Sequence, residues 1–182
     1  MTKNKKGFTI IEVVLVLAIA GLIFLMVFIA LPALQRSQRN TRRRQDMARI
    51  LSAFTEYASN NGGKMPASGN LDNFVQKYVG AADQKANGDR KTDGKTGCDG
   101  DQFCDPDGTP YKITLDGTFS QSDHSQNNSS LTFPNDHKIL YYTGAVCSSD
   151  TEGKVAYSGG GQNNVAIQYV LEGGAIYCGD NQ

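Results

Sequence analysis

From Phe8 to Leu34 the chain is apolar except for Thr9 and Glu12. A helix needs about 20 apolar residues to cross a hydrocarbon core of ~30 Å, so this run can span a membrane with some tilt. It is too long for the apolar region of a cleaved secretory signal, and no small-x-small cleavage site follows it. An ordinary signal anchor would have no use for Glu12. A carboxylate inside an apolar span costs at least ~2.5 kcal/mol and usually marks function. The segment is therefore expected to be a membrane helix with a purpose beyond anchoring.

Ahead of it lies a short hydrophilic leader, Met1-Thr2-Lys3-Asn4-Lys5-Lys6-Gly7, basic and without an acid. Taken together, Lys5-Lys6-Gly7-Phe8-Thr9-Ile10-Ile11-Glu12 resembles the cleavage and methylation site of type IV prepilins and pseudopilins. The resemblance implies that a membrane-embedded aspartyl prepilin peptidase cuts after Gly7 and methylates the new amine of Phe8. It also makes Glu12 the assembly glutamate of the mature chain. In a filament, Glu12 can neutralise the Phe8 amine of a neighbouring subunit, so that two costly buried charges compensate each other.

One count points the other way. Arg36, Arg39, Arg42, Arg43, Arg44 and Arg49 follow the apolar run, and the positive-inside rule alone would put that side in the cytoplasm. The resemblance overrules the count, because the leader must meet its peptidase on the cytoplasmic face. The cysteines agree, since they call for an oxidising side. The arginines are then expected on a solvated helical face, on outer-leaflet phosphates, or paired with acids between subunits.

Beyond the membrane, Met47, Ile50, Leu51, Phe54 and Ala58 recur at helical spacing, and Asn60-Asn61-Gly62-Gly63 supplies a stop. The chain therefore divides into a leader (1–7), a transmembrane and filament-core helix (8–34), its continuation (35–59) and a globular head (60–182). Proline removes a backbone bond and clashes with the preceding turn, so a kink or local melting is expected between Gly21 and Pro32. Asn70–Val79 reads as a short amphipathic helix with Leu71, Phe74, Val75 and Tyr78 inward, and residues 80–97 as a polar loop. Strand signals follow at Tyr111–Leu115, Leu131–Phe133, Lys138–Thr143, Lys154–Tyr157, Val165–Leu171 and Ala175–Cys178, with a loop at Ser120–Ser130. Within the fifth of these, Val165, Ile167, Tyr169 and Leu171 face one way, and Ala166, Gln168 and Val170 the other. From Lys154 onward an antiparallel pair or meander is expected, with turns at Gly159-Gly160-Gly161 and Gly173-Gly174. The predicted fold class is α+β: a long N-terminal helix packed on an antiparallel sheet of about four strands, the lollipop shape of pilins.

A head of this size gains from covalent staples. Cys98, Cys104, Cys147 and Cys178 fit two disulfides formed outside the cytoplasm. Four cysteines allow three connectivities, and the sequence does not choose among them. The pilin resemblance favours Cys147 with Cys178, closing a C-terminal region, and leaves Cys98 with Cys104 as a local loop. A zinc site is disfavoured by the spacing. Asp99, Asp101, Asp105 and Asp107 offer oxygen ligands for calcium, although the run lacks the spacing and closing Glu of an EF-hand. Asx-turns around a disulfide are the simpler reading, and no other cofactor is expected. Asp105-Pro106-Asp107-Gly108-Thr109-Pro110-Tyr111 is also similar to the segment that precedes the first sheet strand of major pseudopilins.

Enzymatic signals are weak. His124 and His137 have no nucleophile motif beside them, and Gly159-Gly160-Gly161 lacks the lysine and following helix of a phosphate loop. Asn127 and Asn128 meet the glycosylation pattern, which chance supplies often. With 18 basic and 18 acidic residues, the Arg36–Arg44 cluster is a poor argument for nucleic acid. The expected function is structural: a type IV pilus subunit, a major pilin serving adhesion or twitching motility. The resemblance implies as partners identical subunits in a helical filament, the prepilin peptidase, an inner-membrane assembly platform, minor pilins and a host-cell or surface receptor. The subunit would sit in the cytoplasmic (inner) membrane before assembly and in an extracellular pilus afterwards. The alternatives are a type II secretion-like pseudopilin, a minor pilin, and a membrane-anchored binding module.

Overall fold

The computed structural model describes residues 7–98, 100–118, 137–159 and 163–182, in two units, Met1–Arg39 and Asn40–Gln182. Helix α1 (Ile10–Asn60) belongs to both. In the first unit, every large apolar side chain from Phe8 to Leu34 is exposed. The helix is unbroken between Gly21 and Pro32, so the subunit has no melted segment there. A single proline frees only the carbonyl four residues back, here that of Phe28, and the remaining bonds keep the helical register.

The second unit carries the core. Its part of α1 buries Arg43, Met47, Ile50, Ala53 and Phe54 along one face, the three-and-four spacing of an amphipathic helix. The helix stops where the chain turns left-handed at Gly62 (φ 65°) and Gly63 (φ 81°), and the Gly63 N–H caps the Ala58 carbonyl at 2.8 Å. Such a conformation suits a residue without Cβ. Next comes α2 (Leu71–Phe74), extended by a π turn over Val75–Val79. The wider turn shifts the inward phase by about one residue. Val79 is buried in consequence, while Tyr78, expected inward, is half-buried and packs edge-on against Tyr57.

Among the described residues six strands follow: β1 (Lys112–Thr118), β2 (Lys138–Thr143), β3 (Ala145–Cys147), β4 (Val155–Tyr157), β5 (Val165–Val170) and β6 (Ile176–Asp180). The main sheet has the order β1-β2-β5-β6. Its β2–β5 and β5–β6 pairs are antiparallel, as expected, but β1 runs parallel to β2. A parallel pair needs a crossover of a dozen or more residues, and the chain between Thr118 and Lys138 is long enough to be one. Strand β4 does not join the meander; it pairs with β3, a strand the sequence did not announce, as a separate two-stranded sheet.

The alternation of β5 now has its explanation. Val165, Ile167, Tyr169 and Leu171 pack in the larger core with Met47, Ile50, Phe54 and Phe74. Ala166, from the other face, packs with Leu140, Tyr142, Ala145 and Val155 beneath the β3–β4 sheet. Both faces of the central strand are therefore covered, and all six of its residues are buried. The expected strand Leu131–Phe133, the Ser120–Ser130 loop, His124, Asn127, Asn128, Gly160, Gly161 and Asp99 lie outside the described residues.

Candidate functional site

Gly7 and Phe8 precede the first helical residue, and Phe8 is 89% exposed. Thr9 is where the helix is capped. Its backbone N–H and its hydroxyl both donate to Glu12 Oε2 at 2.8 Å, and the Glu12 N–H returns a longer contact to Thr9 Oγ1 at 3.4 Å. This is a reciprocal capping box, which satisfies backbone donors that a helix start otherwise leaves open. Besides the intermolecular role expected of Glu12, the carboxylate thus has a local one, which the Thr-x-x-Glu spacing announces and the pilin resemblance does not. The resulting site is a non-helical Gly7-Phe8 pair, a capped helix start, and an acid one turn into an exposed apolar helix.

The four cysteines form two disulfides, Cys98–Cys104 and Cys147–Cys178, and no described cysteine is free. Cys178 lies in β6 and Cys147 in β3, so the second bond ties the small sheet to the edge of the large one. The Cys147 N–H also donates to Asp180 Oδ2 at 2.7 Å.

One member of the aspartate run, Asp105, is paired with a cation that the chain itself supplies. Arg43 Nε and Nη2 donate to Asp105 Oδ2 and Oδ1 at 2.6 and 2.7 Å, and Arg43 Nη1 reaches Glu172 Oε1 at 2.9 Å. The Tyr169 hydroxyl donates to Asp105 Oδ2 at 2.8 Å. Two Asx-turns complete the segment: the Asp107 N–H donates to Asp105 Oδ1, and the Thr109 N–H to Asp107 Oδ1. Burial works against the charge on Asp105, but the Arg43 hydrogen bond, with help from Asp107 and Tyr169, holds its carboxyl below the usual carboxylate range. Burial likewise opposes the charge on Arg43, and Asp105 and Glu172 more than offset it. Asp46 behaves oppositely. Burial raises its pKa, against a hydrogen bond from the Tyr111 hydroxyl.

Of the other candidate calcium ligands, Asp107 stands 3.3 Å from His137 Nε2. Asp105, Asp107 and His137 bring their donor atoms within 4.8 Å of one another, whereas Asp101 is exposed and apart from this group. The arginines expected on a solvated or lipid-facing surface divide. Arg43 is buried, and Arg49 donates to the Val79 carbonyl and lies over the Phe103 ring at 5.4 Å. Arg42 and Arg44 are exposed. Arg43 sits four residues before Met47 on the apolar stripe, a signal that could have marked it as inward.

Residues 2–28 match the family description "prokaryotic N-terminal methylation motif". That match is to a class III signal of the type IV pilin kind and covers this N-terminal segment alone; with the long apolar helix that continues it, the signal fits membrane anchoring. No curated protein and no solved structure is similar enough to this chain to count as a match.

Proposed function

We propose that this chain is a filament-forming subunit of a type IV pilus, the major pilin of a fibre used for adhesion or twitching motility. The observation that carries the reading is the apolar half of α1, exposed on every side and bearing Glu12 one turn from the Gly7–Phe8 bond. Such a surface is stable only in lipid or against copies of itself. Cleavage after Gly7 by a prepilin peptidase would free the Phe8 amine, and Glu12 of a neighbour would then neutralise it. Lipid would hold the subunit in the cytoplasmic membrane until an assembly platform, with minor pilins, drew it into the extracellular fibre. A surface or host-cell receptor would be met by the head.

The test is mass spectrometry of filaments sheared from the native cell. A chain that begins at N-methyl-Phe8 and makes up the bulk of the shaft supports the reading. Assembled chains that retain Met1–Gly7 would sink it. A second reading is favoured by Asp105-Pro106-Asp107-Gly108-Thr109-Pro110-Tyr111, which leads directly into β1 and holds Arg43. Its likeness to the pre-strand segment of major pseudopilins supports a subunit of a type II secretion-like system. Long surface filaments in electron micrographs favour the pilus; their absence, with a protein-export defect on deletion, favours the pseudopilin.

A further inference from the structure

We propose that His137 Nε2 and the Asp107 carboxylate bind a zinc ion where the turn before β1 meets the start of β2. The site goes beyond the filament function and is the same for a pilus or a secretion subunit. His137 Nε2 lies 3.3 Å from Asp107 Oδ2, while Nδ1 lies 3.7 Å from Asp105 Oδ2 and 3.4 Å from the Tyr169 hydroxyl. One imidazole therefore stands between two carboxylates. A neutral imidazole has a single N–H donor and a single lone pair, so only one of its nitrogens can donate. The surroundings decide which. The Tyr169 hydroxyl gives its proton to Asp105 Oδ2 at 2.8 Å, so Tyr169 and Asp105 both present acceptors to Nδ1. The ring proton accordingly belongs on Nδ1, and the Nε2 lone pair faces Asp107 Oδ2. Two acceptors this close call for a cation between them.

The spacing fits a metal ion. Zinc bonds of ~2.0–2.1 Å at a tetrahedral angle hold two ligand atoms about 3.3 Å apart, the separation between Nε2 and Oδ2. The other Asp107 oxygen is engaged, accepting from the Thr109 N–H at 2.9 Å, which leaves Oδ2 to the ring. An Nδ1–H aimed at a carboxylate is the usual support of a metal-bound histidine, since it fixes the tautomer and the ring plane. Asp105 has that supporting place, because it is fully buried and bound to Arg43. Backbone geometry sets both ligands. His137 has φ 51°, uncommon for a residue with Cβ, and its carbonyl accepts from the Lys112 N–H at 2.9 Å. Asp107 is held by its own N–H, which donates to Asp105 Oδ1 at 3.1 Å. Arg43 does not make the neighbourhood cationic, since Asp105 and Glu172 both face it and Asp107 adds a third acid. The Asp107 side chain is 40% exposed, so water can complete the coordination. An imidazole ligand selects zinc over calcium, which takes oxygen ligands.

The experiment titrates zinc chloride into tag-free, disulfide-intact full-length protein in detergent micelles. Calorimetry reads the affinity, and long-range proton–nitrogen NMR reads the histidine rings. Zinc should bind saturably and shift His137 Nε2 while Nδ1 keeps its proton. It should also raise the thermal denaturation midpoint, because an ion that binds only the folded state stabilises it. His137→Gln and Asp107→Asn each remove a ligand and should weaken zinc binding at least ~10-fold, the loss that even outer-shell partners of a metal cause. Asp101→Asn, at an exposed position outside this group, should leave the affinity unchanged. Asp107 is the variant to rely on if His137→Gln disturbs the fold, which circular dichroism would show. Absence of saturable zinc binding overturns the proposal, as does an affinity unchanged in Asp107→Asn or coordination through Nδ1. Calcium chloride that binds more tightly than zinc and still binds His137→Gln would also overturn it, in favour of carboxylates alone. All of this is read on unassembled subunits, so a failure of polymerisation would not touch the result.

Discussion

Arg43 and Asp105 meet through two parallel hydrogen bonds of 2.6 and 2.7 Å across 62 residues of sequence, and neither side chain is open to solvent. The pair joins α1 to the turn-rich segment before β1, and Glu172 extends it to the β5–β6 turn. Asn40 strengthens that third connection: its Oδ1 accepts from the Glu172 N–H at 3.0 Å. Three elements distant in sequence thus share one guanidinium. A buried ion pair is weak evidence for net stability, but breaking one leaves an uncompensated buried charge.

Arg43→Met and Asp105→Asn should each destabilise the head by about 3–5 kcal/mol, the usual cost of orphaning one buried partner. Arg43→Met combined with Asp105→Leu should recover most of the loss, since no charge is then left buried. Denaturant unfolding of the disulfide-intact protein measures all three. Additive losses in the double variant would show that the two side chains act independently.

The same pair sets an acid limb. Unfolded aspartate titrates near ~3.9, and Asp105 in the fold titrates lower, so its contribution is complete above that value. It drains as the pH falls towards the depressed folded value. Asp46 has the opposite sign: its raised pKa makes its protonation favour the folded state in mild acid. Denaturation midpoints should therefore hold steady or rise slightly as the pH falls towards about 5, then drop below about 4. Asp105→Asn should flatten that drop. A variant with the wild-type acid limb would remove Asp105 from its cause.

Much of this was legible in the sequence. The apolar run, the helix stop at Asn61-Gly62-Gly63 and the alternation along β5 each follow from a local pattern with a single physical reading. Lys138–Thr143 emerged with the very bounds its β-rich run suggested. The parallel β1–β2 pair was not legible, because strand direction depends on a connection rather than on the strand's residues. Strand β3 was hidden by its brevity, whereas its partner β4 lies within the Lys154–Tyr157 run that the sequence marked. The arginine run misled because charge suggests solvent, while position decided otherwise: the apolar stripe of α1 continues backwards from Met47 to Arg43. The aspartates near Cys104 stand together in the sequence, which does not show that folding brings Arg43 to Asp105.

Disulfide loss should be unequal. Cys147–Cys178 closes a sequence separation of 31 and Cys98–Cys104 one of 6. In the chain-entropy model the larger loop contributes about 3 kcal/mol or slightly more, and the smaller one less. Cys147→Ser/Cys178→Ser should therefore lower the denaturation midpoint more than Cys98→Ser/Cys104→Ser. It should also speed hydrogen exchange in β3 and β4, which that bond ties to β6. Alkylation of the native protein without reductant should label none of the four cysteines. Equal midpoints for the two variants would mean that loop length does not set the difference.

Glu12 has two separable tasks, and two substitutions separate them. Its carboxylate caps the Thr9 N–H within the subunit, and its charge is the proposed partner of a neighbour's Phe8 amine. Glutamine can still accept the Thr9 hydrogen bonds, because capping boxes use Glu or Gln, but it carries no charge. Glu12→Ala removes both functions. Neither change should hinder membrane insertion, since each removes a charge from the apolar segment, and cleavage after Gly7 should continue. If the charge pair drives assembly, Glu12→Gln and Glu12→Ala should both cut filament yield sharply, as each buried amine loses about 3–5 kcal/mol of compensation. If the cap is what matters, Glu12→Gln should assemble like the wild type and Glu12→Ala alone should fail. The measurement is the ratio of sheared filaments to membrane-held mature subunit in the same cells. Normal yield from Glu12→Gln would refute the charge-pair mechanism and leave the helix cap as the reason an acid stands at this position.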